Sequence, residues 1–166
     1  MKRKVAFLLW ALLILSGCGG AGSVIEYNDS FVAVVKECTD STQDLFNLYQ
    51  AEDSTLDSII EALEKSIEIC ENSESKASKM WDFEKDSSLK DAVVDLLSTE
   101  VDYLSQFKST SRFRNTDNLT EEDKEAYNWV VSELYQSEDL LNSKFASLQS
   151  IQEAFAAKHG LKLDTL

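Results

Sequence analysis

The sequence predicts an all-α protein, an antiparallel up-down-up-down four-helix bundle that follows a lipoprotein signal peptide. Three observations carry that expectation. Apolar residues recur at steps of three and four along most of the chain, the period that lines one face of an α-helix. The 166 residues include no proline, the residue that would break helices as long as this pattern requires. No strand signature interrupts the pattern. With 43% hydrophobic residues and 5 glycines, the composition suits one compact domain rather than a disordered or fibrous polymer.

The N-terminus has three parts: basic Lys2, Arg3 and Lys4, an apolar run from Val5 to Leu15, and small residues before Cys18. This is the layout of a secretory signal peptide. The apolar run is well short of the roughly 20 residues that cross a hydrocarbon core. Leu15-Ser16-Gly17-Cys18 resembles the bacterial lipobox, which implies diacylglycerol on the Cys18 sulfur and cleavage before it. Residues 1–17 are then the signal peptide, residues 18–23 a lipid-anchored, glycine-rich tether, and residues 24–166 the helical domain. The acyl chains would hold the protein to the membrane without a spanning segment. Residue 19 is Gly rather than Asp, which by resemblance to known sorting rules favours the outer membrane where a bacterium has two. Loss of Lys2, Arg3 and Lys4 takes the formal charge from -14 to about -17. Such an acidic domain is unsuited to DNA or RNA, and charge alone would not recruit it to an anionic membrane surface.

The first helix is expected from Val24 to about Tyr49, with Phe31, Val35, Cys38, Leu45 and Tyr49 inward and Thr42 filling the gap. After the short Ala51-Glu52-Asp53 link, Leu56, Ile60, Leu63, Ile67, Cys70 and Ala77 continue the same steps, so two helices should fold back on each other. A third opens near Ser87 or Ser88 and carries Leu89, Val93, Leu96, Leu97, Leu104 and Phe107. The fourth begins after Thr120, whose hydroxyl can cap the amide of Asp123 while three acids complement the positive helix end. Its stripe runs through Tyr127, Val131, Leu134, Leu141, Phe145, Leu148, Ile151 and Phe155 to Gly160, a natural left-handed terminator. Leu161 and Leu163 should then fold back onto the bundle.

Assigning Cys18 to lipid leaves Cys38 and Cys70 as an even pair in an oxidising compartment. A turn centred between residues 51 and 53 puts residue 66 opposite Cys38, with Cys70 one helical turn further on. A disulfide is therefore feasible; the alternative is two buried thiols acting as small hydrophobes.

The layout resembles a family of uncharacterised bacterial surface lipoproteins with a lipobox and a helical domain. The likeness rests on Glu26-Tyr27-Asn28, on Leu119-Thr120-Glu121-Glu122-Asp123 and on the closing Phe155-Ala156-Ala157-Lys158-His159-Gly160-Leu161. It implies an envelope location and an all-helical bundle, and it carries no catalytic residues over.

Chemistry has little to work with. A di-iron bundle needs paired Glu-x-x-His motifs, and the chain has only His159, placed at a helix end where a cation or exposed residue is expected. No nucleophile motif or phosphate-binding glycine loop is present. The expected catalytic residues, metal ligands and cofactor are therefore none. Glu100 and Glu138 fall where a strict heptad puts core residues. A small helix rotation that gives Val101 the core position and sends the acids to solvent is the expectation; a buried, cation-binding acid pair is the alternative. Acid clusters such as Glu71 with Glu74, or Glu121 to Glu125, follow no EF-hand loop and read as a solvated face. Two loops hold candidate partner-binding residues, Trp81 with Phe83 and Arg112-Phe113-Arg114, since Trp and Arg anchor many interfaces. The competing expectation is that the aromatics plug the bundle ends.

The function expected is thus that of a non-enzymatic cell-envelope lipoprotein presenting an acidic bundle to a protein partner. The alternatives are an acidic inhibitor of a cationic envelope hydrolase such as a lysozyme, and a carboxylate-based metal-binding envelope protein.

Overall fold

Helix α1 (Gly22–Gln50) and helix α2 (Leu56–Ser78) run antiparallel, as do α3 (Ser88–Ser111) and α4 (Glu121–Lys158), in a computed structural model that describes residues 14–16, 22–51, 53–111 and 120–164. Each helix packs on the next in the chain, and α1 also approaches α3, which closes an all-α four-helix bundle. No helix among the described residues is long and apolar enough to cross a membrane.

Local signals set the helix ends. Thr55 and Thr120 each accept the backbone N–H three residues on, and Ser58 and Asp123 return a bond to the cap's own N–H. These reciprocal bonds satisfy amides that have no partner within the helix. At the far end of α4, Gly160 takes φ +66° and Leu161 N–H donates to Ala156 C=O at 2.9 Å, a left-handed stop that most side chains would strain.

The core is built from α1 (Tyr27, Phe31, Val35, Cys38, Leu45), α2 (Ile59, Leu63, Cys70, Ala77) and α3 (Leu89, Val93, Leu96, Leu97, Leu104), all nearly sealed from solvent. Ser66 and Ser73 on α2 and Thr42 on α1 are buried too, and such small residues let helix backbones approach. Cys38 and Cys70 stand with Cα atoms 4.6 Å apart.

α4 departs from the stripe read in its sequence. Val130, Leu141, Leu148, Gln152 and Phe155 are buried, whereas Tyr127, Val131, Leu134, Phe145 and Ile151 are half-buried. At 38 residues α4 outlasts α3 by 14, about 21 Å of helix. Its first turns consequently meet less of the core than a bundle of equal helices would allow.

The structure also holds two three-residue strands that the sequence pattern does not announce, β1 (Ile14–Ser16) and β2 (Lys162–Asp164). They pair antiparallel, Leu15 opposite Leu163. Three residues are too few for an alternating pattern to register. Leu161, just before β2, packs against the core as expected.

Candidate functional site

Cys18, Arg112, Phe113 and Arg114 lie outside the described residues. The remaining candidates fall into a disulfide, an aromatic end, a polar layer inside the bundle, and an acidic outer face.

Cys38 and Cys70 are joined, with sulfurs 2.05 Å apart. The helical register differs slightly from the one inferred from the link. Ser41 donates to Ser66 Oγ at 2.9 Å, and Lys76 pairs with Glu37 at 2.6 Å. The Ser41–Ser66 pair puts the centre of the turn near residue 54, because the link extends through Ser54 and Thr55. Cys70 therefore lies directly opposite Cys38, with no turn of helix between.

The aromatic end forms where the start of α1, the α2–α3 loop and the end of α4 meet. The ring of Tyr27 contacts Phe31, Trp81, Phe83 and Phe155 at centroid distances of 4.9, 5.6, 5.4 and 5.6 Å. His159 packs edge-on to Phe83 at 5.0 Å and against Phe155 at 4.6 Å. This corrects the expectation of an exposed histidine: the ring is half-buried, and its Nε2 is sealed without a hydrogen-bond partner. Burial raises the Tyr27 phenol above its usual range, with the Phe83 amide acting in the opposite direction. That amide approaches the Tyr27 hydroxyl without forming a well-aligned hydrogen bond.

The loop is tightly constructed. Glu84 and Lys85 take φ 50° and 66°, the conformation of a primed reverse turn, and Asp86 N–H donates to Phe83 C=O at 2.8 Å. Asp86 accepts from the Ser88 amide and hydroxyl and pairs with Lys158 at 2.7 Å. Lys158, followed by the Ser88 bonds, holds the Asp86 carboxyl far below the usual carboxylate range. Asp82 pairs with Lys90. Phe83 plugs the bundle end at 9% exposure, but Trp81 does not, remaining 58% exposed although its ring touches Tyr27.

In the polar layer the expected helix rotation does not occur. Glu100 is buried at 3% exposure, and Val101 and Glu138 are half-buried. Leu96, Leu97, Tyr103, Leu104 and Phe107 all point inward from α3. Turning Glu100 out would turn Leu96, Leu97 and Leu104 with it, and those three apolar side chains outweigh one acid that can take up a proton. Desolvation lifts the Glu100 pKa from its ordinary 4.5 to about 7, with the Thr42 hydroxyl of α1 drawing it partly back. The two groups face each other without a well-formed hydrogen bond. Tyr103, one turn on, is pushed above the usual phenol range by burial and then by the charges of Glu138 and Glu100. Glu100 therefore shares its surroundings with a hydroxyl, a phenol and a single half-buried acid. Among the described residues no group of three or more His, Cys, Asp or Glu is arranged to hold a metal ion.

Two residues of the polar interior carry no apolar signal and escaped the sequence reading. Gln152 Nε2 donates to Asn28 Oδ1 at 2.7 Å, both side chains sealed between α4 and α1. Counting every residue on the stripe, polar ones included, would have found them, since Asn28 sits three before Phe31 and Gln152 four after Leu148. A crevice beside this pair, lined by Phe31, Leu89 and Leu148 among others, has room for about one water molecule.

The outer face of α2 carries an acidic ridge. Asp57, Glu61, Glu64, Glu68 and Glu71 recur at steps of four and three and are all exposed, which aligns them along one side of the helix over about 21 Å. Lys108 pairs with Glu64 at 2.7 Å. Comparison with protein-family models, with curated proteins and with solved structures gives no match.

Proposed function

We propose that this protein is a non-enzymatic cell-envelope lipoprotein, anchored by acyl chains on Cys18, that presents its acidic bundle to a basic protein partner. The observation that carries the reading is the α2 ridge, five carboxylates in line on a rigid helix of a chain with formal charge -14. A regular row of like charges creates a field that speeds encounter with a cationic surface and weakens with added salt. The lipobox Leu15-Ser16-Gly17-Cys18 supports the anchored location, with the outer membrane favoured where two membranes exist. Processing before Cys18 would remove β1, so the mature domain is the helical bundle itself.

In-cell cross-linking of the lipidated protein followed by mass spectrometry tests this reading. A reproducible basic partner is expected, linked through Lys65 or Lys108 beside the ridge and lost both at high salt and in Glu61→Lys/Glu68→Lys. Absence of a reproducible partner, or a partner indifferent to salt and to the reversal, would refute it. A cationic hydrolase such as a lysozyme is one partner of the required charge. If it is the target, its activity falls on addition of the protein at low salt and recovers at high salt.

A further inference from the structure

We infer that the aromatic end of the bundle faces the lipid bilayer and that Trp81 seats in the membrane–water interface as a second attachment beside the acyl anchor. The inference rests on the lipoprotein reading and assigns Trp81 to lipid rather than to a protein partner. It is a matter of reach. Cys18 precedes the first residue of α1, Gly22, by four residues, which span at most about 14 Å when fully extended. Tyr27 follows within two helical turns, and its ring touches Trp81 at 5.6 Å. An anchor at Cys18 therefore holds Trp81 close to the bilayer surface, while the opposite end, marked by the Tyr49–Phe107 contact, stands over 30 Å away by helix rise.

The chemistry of this end suits an interface. Trp has an apolar ring with one N–H donor and collects at the level of lipid headgroups. Trp81 is 58% exposed in a loop fixed by a primed turn and by two lysine–carboxylate pairs, so little ordering entropy is lost on insertion. Those pairs, Asp82 with Lys90 and Asp86 with Lys158, neutralise two of the loop's three carboxylates, which lipid phosphates would otherwise repel, and the exposed Glu84 is flanked by Lys85. Lys79 and Lys85 stand exposed on either side of Trp81 in the chain, placed to meet phosphates as lysines at membrane surfaces do. The acidic ridge of α2, by contrast, runs along the side of the bundle, away from this end.

Fluorescence quenching by lipid tests the inference. Two processed, lipidated proteins, which begin at Cys18 and so lack Trp10, are compared in phosphatidylcholine vesicles with brominated acyl chains: Trp129→Phe, which keeps Trp81, and Trp81→Phe, which keeps Trp129. Trp129 is the control because it is 66% exposed yet 26 residues before Phe155 on α4, about 39 Å along the helix from the aromatic end. Quenching of Trp81 is expected to exceed that of Trp129 several-fold, with a blue shift of Trp81 emission on vesicle binding. Equal quenching of the two on protein whose mass carries the acyl group overturns this inference and leaves the lipoprotein reading standing. Absence of the acyl mass on Cys18 overturns both.

Discussion

Replacing Glu100 with Gln should stabilise the protein at neutral and alkaline pH and do nearly nothing in acid. Glu100 is 3% exposed, and its pKa rises from 4.5 to about 7 on folding. Between those values the folded chain holds a proton that the unfolded chain has released, so stability falls as pH rises through the window. Below pH 4.5 the carboxyl is neutral in both states and the penalty vanishes; above pH 7 it is charged in both states and the full penalty applies. At about 1.4 kcal/mol per pH unit, that penalty is about 3 kcal/mol. Gln keeps the size and polarity of the side chain and removes the charge. Urea denaturation of both chains, followed by far-UV circular dichroism, should give nearly equal free energies of unfolding at pH 4 and an advantage of about 3 kcal/mol for Glu100→Gln at pH 8. Comparing the difference between chains cancels the general effect of acidification on a protein of charge -14. A gap that stays constant with pH, or a wild type that is the more stable chain at pH 8, would refute the argument that Glu100 is held in a desolvated site.

Replacing both Cys38 and Cys70 with Ala removes the bond between α1 and α2 and should lower stability by roughly 3 to 4 kcal/mol, read as a fall in melting temperature that reductant reproduces in the wild type alone. Thr120→Ala breaks the capping box of α4 and should cost about 1 kcal/mol in urea denaturation, without loss of helix elsewhere. Asn28→Ala leaves the Gln152 amide without its 2.7 Å acceptor in a sealed site; the expected loss is about 2 kcal/mol, and Asn28→Ala/Gln152→Leu should recover part of it.

Most of the helix boundaries were legible because they depend on neighbours in sequence. Thr120 with Asp123, Gly160 after Lys158, and the apolar steps of α1 and α3 each act over one helical turn, whereas α2 keeps only Leu63, Cys70 and Ala77 of its expected stripe inward and buries Ile59, Ser66 and Ser73 in place of Leu56, Ile60 and Ile67. What escaped depends on distant competition. Glu100 stays inward because Leu96, Leu97 and Leu104 share its helix and fix its rotation, and periodicity cannot weigh those side chains against one carboxylate. The register of Cys70 against Cys38 turned on whether Ser54 and Thr55 belong to the link, a difference of two residues. Trp81 and Phe83 look alike in sequence, yet only Phe83 reaches the pocket formed by Tyr27, Phe155 and His159. That choice is made by the turn at Glu84 and Lys85, where neither residue is a glycine.

The bond between Cys38 and Cys70 also shapes how the domain bears load. Under the proposed anchoring at Cys18, a pull on the N-terminus enters at α1 and reaches the sulfur bridge before it reaches the first turn. Force then crosses directly into α2. The 32 residue steps between the two cysteines are shielded, and about 110 Å of chain cannot be paid out. The α1–α2 hairpin above the bridge would keep its shape under tension, together with the ridge residues from Asp57 to Glu68, whereas Tyr27 and Phe31 lie on the unbridged side of Cys38.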